Sequence, residues 1–316
     1  MTAATRRVAG AVRIPDDRSE IELHVGRQTV TLTNLDKVFF PQAGLTKRDL
    51  LRYYADVASV LLPHLRDRAM VMKRYPNGIR GKWFFMKHAP SARPEWIETC
   101  EIMHKSRNLI AFPVVQDLAS LLWTINLGCI DLNPWYARCD DTNRPDFLNF
   151  DLDPARGATF ATARETAMAV RDALEELGMK PMVKTSGSDG LHLYVAIARG
   201  PTQKEVWTFA KQLAKRLEKE HPRLITTEFL VADRPRGTVL VDYNQNAWGR
   251  TLASVYSVRP KEFAGVSTPV SWEEVERGFH IEDFRLGNVP VRVRKLGDLW
   301  KPLLSSRGRF RLEEVL

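Results

Sequence analysis

The spacing of hydrophobic residues changes along the chain and predicts which segments form strands and which form helices. Near the start, alternating positions predict two strands joined by a turn at Gly26 and Arg27. Apolar residues at helical spacing then predict a helix capped by Thr46 and a buried helix within residues 116–128. Between these helices, residues 69–78 predict a strand that ends in a Pro-Asn-Gly turn.

The second half of the chain alternates more regularly between the two patterns. Residues 147–153 predict an apolar strand, and an amphipathic helix closed by Gly178 follows it. Further strands are predicted at 181–186, 191–197 and 238–246, with another helix over 201–222. No parallel βαβ repeat dominates, so the pattern favours an α+β fold with mixed or antiparallel sheets flanked by helices.

Composition narrows the class of protein. The chain has 316 residues, 44% hydrophobic and 27% charged, which is typical of a soluble globular protein with one large or two fused domains. No apolar run approaches the roughly 20 residues needed to cross a bilayer, and no secretory signal is recognisable. The cysteines, Cys100, Cys129 and Cys139, lack CxxC spacing, which argues against a disulfide framework or a cysteine zinc site. We therefore expect a cytoplasmic protein with no membrane partner.

Net charge points to a polyanionic partner. The formal charge is +9 and the isoelectric point is about 9.5. Such a positive charge favours binding to nucleic acid. The alternative is a soluble protein that is basic but does not bind nucleic acid.

Asp151 and Asp153 stand at the end of the predicted strand 147–153. Side chains alternate along a strand, so both acids face the same side, about 7 Å apart, while Leu152 faces the opposite layer. Two like charges in this arrangement repel unless a cation lies between them, and carboxylate oxygens suit Mg²⁺ or Mn²⁺. The alternative is a pair of solvated acids.

Further polar residues stand at the ends of other predicted strands. Asp242 ends one of them and is a third candidate carboxylate, although it could equally cap the strand end. The segment KTSGSDGLHLYV combines Ser186 with glycines whose backbone amides can converge on an anion. His192 follows at the start of the next predicted strand. Taken without the neighbouring residues, it would be interpreted as a buried histidine of the core. Together, these residues in a basic protein favour a phosphate-handling site.

The segments FDLDP, KTSGSDGLHLYV, VDYNQN and SVRP resemble the polymerase domain of bacterial ligase D and its stand-alone primase-polymerase relatives. These proteins belong to the archaeo-eukaryotic primase superfamily. LTNLDKVFFPQAGLTK, MKRYPNG, FFMKHAP and LGCIDLNPW are similar to segments of the same family in the same order. The resemblance covers residues 28–304 and implies a primase-like catalytic domain, with residues 1–27 as an extension and 305–316 as a tail. Within the domain, residues 28–140 would bind DNA and its 5′-phosphate, and 141–304 would hold the metals and the nucleotide.

The resemblance also implies roles for individual residues. The metal-binding, catalytic residues would be Asp151, Asp153 and Asp242. The nucleotide would be bound by Lys73, Asn133, Ser186, His192 and Arg259. The DNA 5′-phosphate would be bound by Asn34, Lys37 and Lys47, and the template would stack on Phe84 and Phe85. The chain departs from the family at Asn133, where a histidine is common, and at Asp189, where some members have a basic residue. A further family arginine is matched only loosely, by Arg234 or Arg236.

The implied activity is template-directed nucleotidyl transfer with two Mn²⁺ or Mg²⁺ ions. The family repairs DNA by short gap filling and end joining, often prefers ribonucleotides, and includes members that prime. The implied partners are gapped or broken DNA with a 5′-phosphate, NTPs or dNTPs, and candidate proteins such as Ku and a DNA ligase, in the bacterial nucleoid. The alternatives are a metal-dependent nuclease or phosphohydrolase and a catalytically weak module that binds DNA ends. The last residues of the chain carry no ligase or nuclease motif, so we expect either a stand-alone enzyme or an excised domain.

Overall fold

The computed structural model describes residues 12–103 and 108–315. Residues 1–11 of the predicted extension and residue 316 of the predicted tail lie outside this range. Among the described residues, every helix is too short or too polar to span a bilayer.

The first half of the chain folds into small antiparallel sheets packed on helices. In chain order its elements are β1 (Ile21–Val25), β2 (Gln28–Leu32), β3 (Val38–Phe40), β4 (Leu45–Thr46), α1 (Lys47–Leu65), β5 (Met70–Arg74), β6 (Phe84–Met86), β7 (Thr99–Met103), β8 (Leu109–Pro113), α2 (Leu118–Asn126), β9 (Cys129–Pro134), β10 (Ala137–Arg138) and β11 (Asp141–Pro145). Strand β5 lies between β6 and β9, and β1 pairs with β2.

The second half is built on one larger sheet. Its elements are β12 (Phe147–Pro154), α3 (Phe160–Glu176), β13 (Met182–Thr185), β14 (Leu191–Ala196), α4 (Gln203–Glu220), β15 (Ile225–Thr226), β16 (Val239–Asp242), β17 (Pro269–Val270), α5 (Trp272–Arg277) and α6 (Val289–Leu296). The strand order is β15–β16–β12–β14–β13–β17, and the pairs are antiparallel except for β15 with β16. The predicted α+β class with mixed sheets and flanking helices is therefore confirmed.

Local sequence signals place the helix ends as predicted. Thr46 caps α1, where its side chain and that of Asp49 form a reciprocal capping box. Gly178 follows α3 with a φ of 79°, a left-handed conformation that suits glycine. The predicted strand 238–246 is too long, because Asp242 accepts a hydrogen bond from the Asn244 amide and starts a 3₁₀ turn over Tyr243–Asn246.

One hydrophobic core joins the two halves and includes residues near both ends of the described chain. Ile14 and Leu312 are buried in the same cluster as Phe150 and Leu174. The predicted domain boundary between residues 27 and 28 lies in the turn of the β1–β2 hairpin. The division into extension, catalytic domain and tail stays a prediction.

Gly190 is the position where the backbone packs most tightly against the predicted metal strand. A Cβ at this residue would lie 1.9 Å from the Leu152 carbonyl oxygen, between Asp151 and Asp153. We expect Gly190→Ala to lower the free energy of unfolding by about 1–3 kcal/mol, because overpacking forces the backbone to shift. Gly287→Ala is the matched control, since its Cβ would have no neighbour within 4 Å. Urea unfolding compares the variants, and equal stability would contradict the close packing.

Candidate active site

Strand register aligns four polar residues in a row across the main sheet. Lys184 on β13 pairs with His192 on β14, His192 pairs with Asp151 on β12, and Asp151 pairs with Asp242 on β16. Lys184, His192, Asp151 and Asp242 are all buried. Asp153 lies two residues further along β12, on the same face as Asp151. The register therefore concentrates charge at one end of the sheet.

The two acids of β12 disfavour each other's ionised form. The carboxylate of Asp151, and then burial, raise the pKa of Asp153 to about 7. Burial raises the pKa of Asp151 to about 6, against the opposing charges of Arg259, Lys184 and Arg234. Such a pair gains from a cation that removes the repulsion.

Asp242 is near this pair, but its oxygens are already engaged. One oxygen accepts a hydrogen bond from the Asn244 amide at 2.8 Å, and the other accepts one from Gln245 Nε2, also at 2.8 Å. Within residues 12–103 and 108–315, no group of three or more His, Cys, Asp or Glu side chains is arranged to hold a metal ion. The hard oxygens of Asp151 and Asp153 fit a divalent cation such as Mg²⁺ or Mn²⁺. Each Asp242 oxygen keeps a lone pair beside the hydrogen bond that it accepts, so these bonds fix the orientation of the carboxylate without preventing ligation.

A cleft of about 390 Å³ opens beside the acids and brings together most of the predicted site. Its predicted members are Lys73, Phe85, Asn133, Asp151, Asp153, Ser186, His192 and Arg259. Gln245 and Arg250 also line it, whereas Asp242 and Phe84 are not among the lining residues. Residues far apart in the chain thus form one surface that carries acids on one side and cations on the other.

The cationic side of the cleft is organised by Asp131, which sequence reasoning missed. Asp131 is buried, is paired across the strands with Lys73, and lies 3.2 Å from Arg259 Nε. Arg259 also donates a hydrogen bond to the Ser186 carbonyl oxygen at 2.8 Å. The signal in the sequence was an acid within the apolar segment CIDL of β9. Its charge compensates two cations that would otherwise repel each other.

The glycine-serine loop that begins at Ser186 is stabilised by the side chain of that residue. Ser186 Oγ accepts hydrogen bonds from the amides of Ser188 at 3.1 Å and Gly190 at 3.0 Å. Asp189, the unexpected acid, lies 2.7 Å from Lys261 Nζ. Burial alone would raise the pKa of Asp189, but the hydrogen bonds from Lys261 and Ser188 hold it below its usual value. Lys261 thus offsets much of the repulsion that Asp189 would exert on a triphosphate.

Two other departures from the family pattern also have structural partners. Asn133 is buried in the cleft wall, where its Nδ2 donates a hydrogen bond to the Asp131 carbonyl oxygen at 3.1 Å. Arg234 donates to the Glu228 and Phe229 carbonyl oxygens, and its charge lowers the pKa of Asp151 and Asp153. Of the two candidate arginines, Arg234 is therefore the one that acts electrostatically on the acids.

The predicted template residues lie on strand β6 and are exposed. Phe84 is 43% exposed and Phe85 is 55% exposed, so neither belongs to the core. Phe85 meets Trp83 edge to face, with ring centroids 5.5 Å apart. The Lys73 ammonium lies 4.4 Å from the centroid of the Trp83 ring, so cation–π attraction holds it beside these rings.

The residues predicted to bind a 5′-phosphate form a second cluster, outside the cleft lining. Lys37 Nζ donates to the Pro76 carbonyl oxygen and to Asn77 Oδ1 at 2.8 Å, while Asn34 is exposed with a φ of 54°. Lys47 is buried, and its Nζ donates to the Thr33 carbonyl oxygen at 2.7 Å. Burial, and then the charge of nearby Lys37, lower the pKa of Lys47 to about 8. Lys47 is therefore not a solvated surface lysine.

Comparisons with known proteins agree on one family. A family model described as the primase-polymerase domain of LigD matches residues 46–300. The multifunctional non-homologous end joining protein LigD of Mycolicibacterium smegmatis is 33% identical over 278 residues, which cover 87% of this chain and 36% of the relative. The bifunctional non-homologous end joining protein LigD of Bacillus subtilis is 31% identical over 266 residues, 84% of this chain and 42% of the relative.

A solved structure extends the agreement to three dimensions. The polymerase domain from Mycobacterium tuberculosis ligase D, in complex with DNA, superposes with a TM-score of 0.83 at 32% identity. The match covers 89% of this chain and 99% of that domain. The chain spans only about a third to two fifths of the length of the curated relatives, since it covers 36% and 42% of the two described above.

The raised pKa of Asp153 predicts how metal binding depends on pH. A cation must displace the proton that Asp153 retains below a pKa of about 7. Mn²⁺ should therefore bind about tenfold more tightly at pH 8 than at pH 6. Calorimetry on the nucleotide-free protein measures this, and Asp153→Asn should remove most of the pH dependence.

Asp189→Asn is the matched control for this measurement. Asp189 lines the same cleft, but its pKa is held low, so it is ionised at both pH values. Its replacement should leave the ratio of the two affinities unchanged. An affinity for Mn²⁺ that is the same at pH 6 and pH 8 in the unaltered protein would contradict the assignment of Asp153 as a ligand.

Proposed function

Because the chain belongs to the family of LigD primase-polymerase domains, it is a nucleotidyltransferase of DNA repair, and we propose that it extends a primer 3′ end across short gaps and at broken DNA ends. Priming and the use of ribonucleotides as well as deoxyribonucleotides belong to the same proposal. The observation that carries it is the cleft in which two like-charged acids face the cationic groups of Lys73 and Arg259.

The cationic side of the cleft suits the triphosphate of an incoming nucleotide. Arg259 presents a planar guanidinium and Lys73 a compact ammonium, and together they can spread attraction over several phosphate oxygens. The Asp131 carboxylate, 3.2 Å from Arg259 Nε, restrains the position of this guanidinium. The aromatic rings beside Lys73 restrict the position of its ammonium group. Burial lowers the pKa of Lys73, and attraction between its ammonium and a bound phosphate would offset part of the cost of burying this charge.

The acidic side suits the divalent ions on which the family depends. Asp151 and Asp153 would hold them, joined by Asp242, the cross-strand neighbour of Asp151. When bound, Mg²⁺ or Mn²⁺ would lower the pKa of the primer 3′-hydroxyl and neutralise charge on the departing pyrophosphate. The protein's own contribution is to fix the carboxylates on a rigid strand and to align the nucleotide with the primer end.

The exposed rings and the lysine cluster provide separate contacts for DNA. Phe84 and Phe85 are free to stack on template bases, which is worth about 1–3 kcal/mol per base. Lys37 and Lys47, with Asn34, offer a pocket for the 5′-phosphate on the far side of a gap. The related ligase D polymerase domain was solved in complex with DNA, which supports the binding of DNA by this chain. The names of the relatives also support a role in end joining, in which Ku and a DNA ligase would be partners.

The central test is extension of a primer on a short gapped duplex with Mn²⁺ or Mg²⁺. Asp151→Asn and Asp153→Asn should each reduce extension at least about 100-fold, because each loses a metal ligand. Binding of the gapped duplex should persist in both variants. Asp172→Asn, which removes an exposed acid on α3, is the control and should extend normally. Shortening of labelled DNA without nucleotides, and no extension with them, would instead favour the nuclease.

A second test concerns the 5′-phosphate. A gapped duplex with this phosphate should bind about tenfold more tightly than one with a 5′-hydroxyl, because two lysines meet a dianion. The preference should shrink in Lys37→Ala and Lys47→Ala and at high salt, but not in Lys219→Ala on α4. Fluorescence anisotropy gives both affinities.

The same preference should depend on pH. The pKa of Lys47 is about 8, so the free protein loses this charge as the pH rises through 8, whereas the phosphate is already doubly charged at pH 7. The preference should therefore fall between pH 7 and pH 9, and less so in Lys47→Ala. Equal binding of the two duplexes at every pH would remove the phosphate pocket from the proposal.

A further inference from the structure

Lys184 is a fully buried lysine to which neither the family resemblance nor the proposed mechanism gives a role. It lies on β13 behind the cleft and is not among the residues that line it. Its Nζ is 2.6 Å from His192 Nδ1, and His192 does line the cleft. A buried cation with no contact to the ligand site is costly unless its hydrogen bonds are complete.

Lys184 Nζ has three polar neighbours, as many as an ammonium group has donors, and they offset part of the burial that lowers the pKa of this lysine well below its usual value. It donates to the Ala253 carbonyl oxygen at 3.0 Å and to Ser267 Oγ, and its third neighbour is His192 Nδ1. The Ser267 hydroxyl donates its own hydrogen to the Thr185 carbonyl oxygen at 2.9 Å, which leaves Ser267 Oγ as an acceptor. The Ala253 and Ser267 oxygens therefore accept two N–H groups of Lys184, and a third N–H can be donated to His192 Nδ1 when that nitrogen carries no hydrogen.

The contacts on the two sides of the imidazole ring, with Lys184 at Nδ1 and the Asp151 carboxylate at Nε2, together favour one tautomer. A protonated Nδ1 could not lie 2.6 Å from an ammonium nitrogen, because two donors would face each other. A neutral imidazole with an acceptor at Nδ1 carries its hydrogen on Nε2. His192 Nε2 is on the opposite side of the ring, 3.1 Å from Asp151 Oδ1 at the cleft.

We propose that Lys184 is a positioning residue that holds His192 in the Nε2–H form, so that this N–H is offered to an anionic oxygen in the cleft. The use of that N–H by a nucleotide triphosphate rests on the proposed function. Without the ammonium, the ring could carry its hydrogen on Nδ1, and the bare Nε2 lone pair would then repel both the Asp151 carboxylate and a phosphate.

The direct test is the tautomer of His192 in the nucleotide-free protein. Long-range ¹H–¹⁵N spectra of protein labelled at histidine should show a protonated Nε2 and an unprotonated Nδ1, with His192→Gln identifying the signals. The opposite pattern, or a doubly protonated ring, would overturn the inference. This measurement uses the unaltered protein, so it decides the question even if no Lys184 variant folds.

Lys184→Met tests whether the lysine is the cause. It should change the His192 tautomer signals and raise the KM for nucleotide about tenfold, with a smaller effect on kcat. Lys73→Met is the matched control, since it removes a lysine that lines the cleft and contacts other residues. It should weaken nucleotide binding and leave the tautomer unchanged. Unchanged His192 signals in folded Lys184→Met would overturn the positioning role.

The outcomes separate this inference from the proposed function. The Nε2–H form in the unaltered protein, lost in Lys184→Met, would support the role of Lys184 even if no primer extension were found. Extension of gapped DNA by a protein whose His192 carries its hydrogen on Nδ1 would leave the proposed function intact and remove this inference.

Discussion

Repulsion between Asp151 and Asp153 is the constraint around which the catalytic half is organised. Strand alternation fixes both carboxylates on one face, and sheet packing keeps water from solvating them fully. Each remedy for this repulsion is visible in the structure: cationic side chains lower the pKa of both acids, and the oxygens fit a divalent ion. Arg259 and Arg234 contribute from flanking loops, whereas Lys184 contributes from within the sheet.

The basic side chains in and behind the cleft create a second demand, because the buried part of each one needs polar partners. Asp131 meets this demand for Lys73 and Arg259, and three polar neighbours meet it for Lys184. The polar interior behind the cleft is thus a connected network. We expect the substitution of one residue in this network to destabilise its neighbours, because removal of each polar group leaves its hydrogen-bond or ion-pair partner without a contact.

Strand β5 connects the nucleotide cleft with the lysine cluster. Lys73 lies at the cleft and is paired across the strands with Phe85, while the next residue, Arg74, is paired with Phe84. The charge of Arg74 lowers the pKa of Lys47, which places it near the other cluster. Alternation along one short strand therefore directs adjacent cations to two regions, and the sites proposed for a nucleotide and for a 5′-phosphate share this strand.

The sequence by itself determined the local features: capped helices, the main strands, the shared face of Asp151 and Asp153, and a positive net charge. These depend on spacing and on residue chemistry within a few positions. The family motifs added the expected grouping of distant residues. Only the tertiary structure decided which side chains meet, since register across strands from distant segments sets those contacts. The pairing of Asp131 with Arg259, the burial of Lys47 and the contact of Lys184 with His192 all arise in this way, and no pattern within one segment encodes them.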